Sequence, residues 1–163
     1  MLYDENVVNT IKDILTARKQ TIAVAESVTA GHLQAALSSA IEASQFFQGG
    51  ITAYNLGQKC RHLDVDPINA EDTNCVAEHI AQTMALNVSK MFLSHYSIAI
   101  TGYASKMPEK GLNDLYAYYA IAHNNKIILC EKITTDKERV DAQVDYTWQV
   151  LRKLVTQLKT PLN

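Results

Sequence analysis

Six consecutive residues, Glu26-Ser27-Val28-Thr29-Ala30-Gly31, bring together a carboxylate, two hydroxyls and a glycine. They follow a β-rich run and precede a helical period, so they form a strand–turn–helix junction. Amides at a helix start can bind an anion or stabilise an oxyanion, and a serine beside them is a candidate nucleophile. The competing reading is that Ser27 or Thr29 caps the helix, the commoner role of a hydroxyl there. A serine needs a base to become a nucleophile, and a neutral lysine amine can supply one. Lys59 is the candidate base. Neutrality near pH 7 requires its pKa to fall by about 3 units, at a cost of about 4 kcal/mol. Against this stands the ordinary fate of a lone lysine, a solvated position on a helix. Tyr54 through Lys59 and the loop from Gly102 to Gly111 are further segments that can carry chemistry.

Other constellations are weaker. The five histidines (His32, His62, His79, His95, His123) contain no His-x-x-x-His pair. Cys75-x-x-x-His79 can place two ligands on one side of a helix, but no third ligand is evident, and no metal is expected. Tyr116, Tyr118 and Tyr119 lie in a strand, where alternate residues face opposite ways, so packing accounts for them better than base stacking. The loop Gly102-Tyr103-Ala104-Ser105-Lys106-Met107-Pro108 lacks the glycine spacing and terminal Gly-Lys-Ser/Thr of a P-loop.

The elements that must position these residues are legible from periodicity. Val7, Val8, Ile11, Ile14 and Leu15 predict an amphipathic helix over the first twenty residues. Thr21–Ala25 reads as a buried strand, and Gly31–Ala40 as a helix burying Leu33, Ala36 and Leu37. Ile51–Tyr54 is a strand entered through Gly49-Gly50, followed by a helix from about Gln58 that ends before Pro67. Ala77–Met91 is a helix with Ile80, Met84, Val88 and Met91 in phase. Tyr96–Thr101 is a strand. Leu115–Ala122 and Lys126–Ile133 form an antiparallel hairpin around His123-Asn124-Asn125. Thr135-x-x-Glu138 has the spacing of a capping box. The helix it opens carries Val140, Val144, Leu151, Val155 and Leu158 on one stripe and stops before Pro161. Helices alternating with strands, then a late hairpin, predict one α/β layered domain over residues 1–163 with a mixed, mostly parallel sheet. In such folds ligands gather outside the carboxyl ends of the parallel strands, where the three segments above lie.

Composition narrows the function classes. The chain has 163 residues, 47% apolar and 20% charged, which suits a folded domain rather than a disordered chain or coiled coil. Fifteen Lys and Arg face seventeen Asp and Glu, for a net charge of −2. The basic residues are scattered in ones and twos, which argues against nucleic-acid binding. Cys60, Cys75 and Cys130 are odd in number and far apart, unlike a disulfide framework, and suit a reducing compartment. No apolar run reaches the roughly 18 residues of a membrane span. The start Met1-Leu2-Tyr3-Asp4-Glu5-Asn6 lacks a basic n-region and is not expected to be a signal peptide. A cytoplasmic protein is expected.

Taken together, the segments resemble the competence-damage protein (CinA) C-terminal domain family, the nicotinamide-nucleotide amidases. Ala25-Glu26-Ser27-Val28-Thr29-Ala30-Gly31 stands against the family's Ala-Glu-Ser-x-Thr-Gly-Gly. Phe47-Gln48-Gly49-Gly50-Ile51-Thr52-Ala53-Tyr54 matches Phe-x-Gly-Gly-x-x-x-Tyr, and Lys59 falls five residues beyond the tyrosine, as in the family. Thr101-Gly102 matches the start of Thr-Gly-Ile-Ala-Gly-Pro-x-Gly-Gly. The resemblance runs from about Thr21 to Ala122. It implies a three-layer α/β/α sandwich that deamidates nicotinamide mononucleotide to nicotinic acid mononucleotide and ammonia. Ser27 would be the nucleophile, Lys59 its base and Tyr54 an assisting group. Glu26, Thr29, Gly31, Gly50, Thr101, Gly102 and Lys106 would bind substrate. No metal or organic cofactor is implied. The expected partners are a small-molecule nucleotide and further copies of the chain, as a homodimer or higher homo-oligomer, with no nucleic acid and no membrane. The N-terminal domain of longer members has no room in 163 residues, so a stand-alone form is expected.

The departures open a second reading. Family Ser-Asn-Glu-Ala before the lysine becomes Asn55-Leu56-Gly57-Gln58, which loses a carboxylate. Ala30 replaces a glycine, and Ala77 stands where the family often has serine. Family Gly-Pro-x-Gly-Gly becomes Ser105-Lys106-Met107-Pro108-Glu109, replacing a glycine-rich cradle with ordinary side chains, for which Lys106 or Lys110 can compensate by charge. Basic positions near the last helix fall approximately on Lys137 and Asp141. The alternative to an amidase is a catalytically degenerate paralogue that binds a nucleotide or a protein partner without turnover.

Overall fold

The computed structural model describes residues 2–161; Met1, which opens the acidic start considered above, lies outside them. Helix α1 (Glu5–Arg18) leads into strand β1 (Ile22–Glu26), followed by α2 (His32–Ser38) and β2 (Phe47–Thr52). Helices α3 (Leu56–Leu63), α4 (Pro67–Glu71) and α5 (Glu78–Phe92) connect to β3 (Tyr96–Gly102). Strands β4 (Leu115–His123) and β5 (Lys126–Thr135) form the hairpin, and α6 (Val140–Lys159) closes the chain. The sheet order is β2-β1-β3-β4-β5. Strand β1 pairs parallel with β2 and β3, while β3–β4 and β4–β5 are antiparallel. Four of the five strands therefore run the same way, and only β4 is reversed.

Two cores separate the layers. Ile22, Val24, Ile98, Ile100, Tyr119 and Ile121 pack with buried residues of α2 and α6 and with Ile11 and Leu15 of α1. On the other face Ala23, Ala25, Ala99, Ala120 and Ala122 meet Ile80, Met84, Ala85 and Val88 of α5. Large residues thus alternate with alanine along the central strands, as the period of two in a pleated strand requires. The chain is a three-layer α/β/α sandwich. The chain leaves β1 through α2 on one face to reach β2, then crosses from β2 through α3–α5 on the other face to reach β3 on the far side of β1. The end of β1 is thus the switch point where an open parallel sheet parts into a crevice. No helix among the described residues is long and apolar enough to cross a membrane.

Several expectations are corrected. Strand β2 begins at Phe47 and ends at Thr52, so Tyr54 lies outside it. The hairpin turn is only Asn124-Asn125, both with positive φ (49° and 63°), the backbone a two-residue type I′ turn demands. Thr135 and Glu138 form no capping box. Helix α6 starts at Val140, after Arg139 in a positive-φ conformation; the Thr135 hydroxyl accepts from the Lys137 amide, and Glu138 pairs with Lys106. Val140 and Met91 are exposed, and the buried face of α6 is Ala142, Tyr146, Val150, Leu151, Leu154 and Leu158. The short helix α4 escaped notice because Pro67 reads as the end of α3, although Asp66 before it caps the Ile68 amide.

Gly102 lets β3 and β4 approach at the mouth of the crevice. A Cβ there would lie 2.4 Å from Ala117 Cβ and 2.7 Å from Ala117 Cα. Gly102→Ala is expected to cost about 1–3 kcal/mol, the usual range for overpacking, measured as a lowered urea midpoint at unchanged m-value.

Candidate active site

Pleating decides which side chains at the end of β1 reach the crevice. Glu26 continues the Ile22–Val24 face and turns under α2, whereas Ser27 continues the Ala23–Ala25 face and turns toward α3. Glu26 is fully buried, and its carboxylate accepts four hydrogen bonds. Oε1 takes the Thr29 hydroxyl (2.6 Å) and the Leu33 amide (2.8 Å), and Oε2 takes the Gln34 amide and side chain (both 3.0 Å). The start of α2 is thus capped by a carboxylate from the preceding strand, and neither Ser27 nor Thr29 caps it. Gly31 occupies the N-cap position at φ 102°.

Ser27 is held by its own backbone: its amide donates to Ile100 O (3.1 Å) and its carbonyl accepts from the Ala30 amide (3.0 Å). Helix α3 brings Lys59 from the other side. Asn55 starts that helix by accepting the Gln58 amide at its side-chain oxygen. Lys59 Nζ lies 2.9 Å from Ser27 Oγ, and the lysine is only 2% exposed. Among the described residues no carboxylate pairs with it. Burial pushes its pKa below the ordinary lysine value, because desolvation penalises the ammonium. When protonated it donates to the hydroxyl; when neutral it accepts from it.

The pair opens into a cleft of about 370 Å³ whose walls include Val28, Tyr54, Leu56, Cys75, Gly102 and Tyr103. Tyr54, 64% exposed, stands on this wall without a hydrogen bond to Ser27 or Lys59. The structure thus brings Ser27, Lys59, Tyr54, Thr101 and Gly102 together. It takes Glu26, Thr29, Gly31, Gly50 and Lys106 out of the cleft. Glu26 and Thr29 are spent on each other and on α2. Gly50 lies within β2, where a Cβ would meet Val24 Cγ2 at 2.6 Å and Gln34 Cγ at 2.8 Å. Lys106 points to Glu138, 3.8 Å away.

Sequence reasoning missed the segment Asn74-Cys75-Val76, which lines the cleft opposite Ser27. Asn74 and Cys75 both have positive φ (50° and 62°). The buried Thr101 hydroxyl fixes this turn by donating to Cys75 O at 2.6 Å. Asparagine's tolerance of that conformation was the readable signal. Cys75 is buried, Cys60 and Cys130 half-buried, and all three are free thiols. Among the described residues no group of His, Cys, Asp and Glu is placed to hold a metal ion.

Residues 4–158 match the model of the CinA C-terminal domain family. A CinA-like protein of Picosynechococcus is 42% identical over 94 residues, 58% of this chain and 22% of its own length. One from Synechocystis is 35% identical over 123 residues, 74% of this chain and 30% of its own. The matched stretch is thus less than a third of these curated relatives. The crystal structure of a competence or damage-inducible protein from Enterobacter asburiae superposes with a TM-score of 0.89 at 22% identity, covering 95% of this chain and 98% of that one. A competence/damage-inducible protein from Agrobacterium tumefaciens gives 0.83 at 21%, covering 96% and 95%. At such identities the likeness speaks for the fold.

Glu26→Ala would leave buried donors at the start of α2 without an acceptor. A loss of about 2–3 kcal/mol is expected, with Glu26→Gln intermediate, read from chemical denaturation of the two variants.

Proposed function

Because the chain belongs to the CinA C-terminal domain family, we propose that it is an amidohydrolase converting nicotinamide mononucleotide to nicotinic acid mononucleotide and ammonia. The observation that carries this reading is the buried Lys59 amine, 2.9 Å from Ser27 Oγ and without a carboxylate beside it. A buried lysine lacking a counter-ion favours its neutral form, and only that form can accept a proton.

In the proposed sequence Ser27 Oγ attacks the carboxamide carbon as its proton passes to Lys59 Nζ. The carbonyl oxygen takes up negative charge. The amide of Val28, which lines the cleft and donates to no group among the described residues, stands at the start of the turn to receive it. Lys59 then returns the proton to the leaving nitrogen, and ammonia departs from an acyl-enzyme. Water attacks the ester, giving its proton to Lys59, which hands it back to Ser27 Oγ as the acid leaves. Tyr54, at the mouth, orients the substrate by contact. The steps close on protein groups and water alone. The resemblance extends the proposal to a cytoplasmic homo-oligomer.

The loop supports the second reading, binding without turnover. Met107 and Leu112 exchange backbone hydrogen bonds (2.9 and 3.1 Å), closing as a tight side-chain-bearing turn what the family builds from glycine.

Ammonia release from nicotinamide mononucleotide tests the proposal. Wild type is expected to turn over, and Ser27→Ala and Lys59→Ala to lose about a thousandfold or more in kcat. A folded but silent wild type overturns it in favour of binding alone. The pH profile carries a sign. Below the depressed Lys59 pKa the amine is protonated and idle; above it the amine is free. The rate is expected to rise with pH, with a midpoint below the ordinary lysine value of about 10.4.

A further inference from the structure

We propose that a second concavity, continuous with the reaction cleft, is the phosphate subsite of the substrate, and that Lys110 and Lys132 hold the phosphate there. The inference rests on the hydrolase reading for the placement of the carboxamide at Ser27. The concavity measures about 610 Å³ and shares Asn74, Tyr103 and Met107 with the cleft, so the two hollows adjoin.

Its chemistry is aromatic and cationic. The rings of Tyr103 and Tyr116 meet edge to face, with centroids 5.4 Å apart. Lys132 Nζ stands 4.3 Å from the centroid of the Tyr116 ring, a contact that fixes the ammonium without neutralising it. Lys132 reaches this place from edge strand β5, paired with Tyr118. Lys110 arrives from the turn that replaces the glycine-rich cradle. It ends the 3-10 segment Pro108–Lys110, and Gly111 follows at φ 75°. Lys12, Lys106, Lys137 and Lys153 each face a carboxylate, whereas Lys110 and Lys132 face none within ion-pair distance among the described residues. One carboxylate, Asp114, lines the concavity with them.

Two ammonium groups against one carboxylate favour an anion, and a phosphate monoester carries nearly two charges at neutral pH. A glycine cradle offers an anion backbone amides, whereas this loop offers side-chain charge. Its altered sequence is therefore a change in how the phosphate is read. Lys106, the first candidate for that role, does not line the concavity and lies 3.8 Å from Glu138.

Calorimetric titration of Ser27→Ala protein with nicotinamide mononucleotide and with nicotinamide riboside separates phosphate recognition from turnover. The mononucleotide is expected to bind about tenfold or more tightly, a preference that weakens as salt rises. Lys132→Met and Lys110→Met should each remove most of that preference, Lys132→Arg should retain it, and Lys106→Met should leave it in place. Equal affinity for the two ligands, no binding of either, or a preference indifferent to both lysines overturns the inference. A lysine-dependent preference without ammonia release from the Ser27-bearing protein leaves the subsite standing and overturns the hydrolase reading. Ammonia release without the preference does the reverse.

Discussion

A pleated strand can present successive side chains only to opposite faces, and at the end of β1 that constraint divides a carboxylate from a hydroxyl. Glu26 goes beneath α2, where four donors saturate it, and Ser27 goes toward α3, where the lysine waits. A shift of one residue would exchange them, placing a carboxylate beside Lys59 and turning its amine into half of an ion pair. The parallel register of β1 with β3, Glu26 opposite Ile100, together with the Ser27 amide bound to Ile100 O, holds the order in place. The acidic residue is thus a structural neighbour of Ser27 and is kept off Lys59.

The electrostatics of the cleft follow from the same division. Lys59 is desolvated and faces a hydroxyl, so its charge is disfavoured, whereas Lys110 and Lys132 stay exposed at the rim, where water reaches them. One fold therefore holds one lysine buried against a hydroxyl and others exposed at the rim, distinguished only by depth. Thr101 links the deep and shallow parts: it sits at the end of β3, and its hydroxyl pins the Asn74–Cys75 turn, whose Asn74 lines both hollows.

Much of this was legible in the sequence. The strands announced themselves by β-rich runs, the long helices by period, and the hairpin by Asn124-Asn125. Ser27 and Lys59, 32 residues apart, were paired by the need of a serine for a base and then by a resemblance, since no local rule connects them. The role of Glu26 was within reach, because counting alternation from Ile22 places it under α2. The spacing of Thr135 and Glu138 misled, since Arg139 adopts a positive φ and α6 starts only at Val140, beyond both residues. The second concavity was not readable at all. Its lysines come from a loop and an edge strand that only the folded sheet places side by side.

The alternation of large residues and alanine along the central strands makes the two layers unequal in what they tolerate. On the face against α1, α2 and α6, nearly every substitution removes volume, leaving a cavity that weakens the fold while its frame persists. On the alanine face, nearly every substitution adds volume and must push α5 outward, with α3 packed beside it. Since α3 carries Lys59, injury to the first layer is felt as lost stability. Injury to the second is felt also as Lys59 displaced from Ser27.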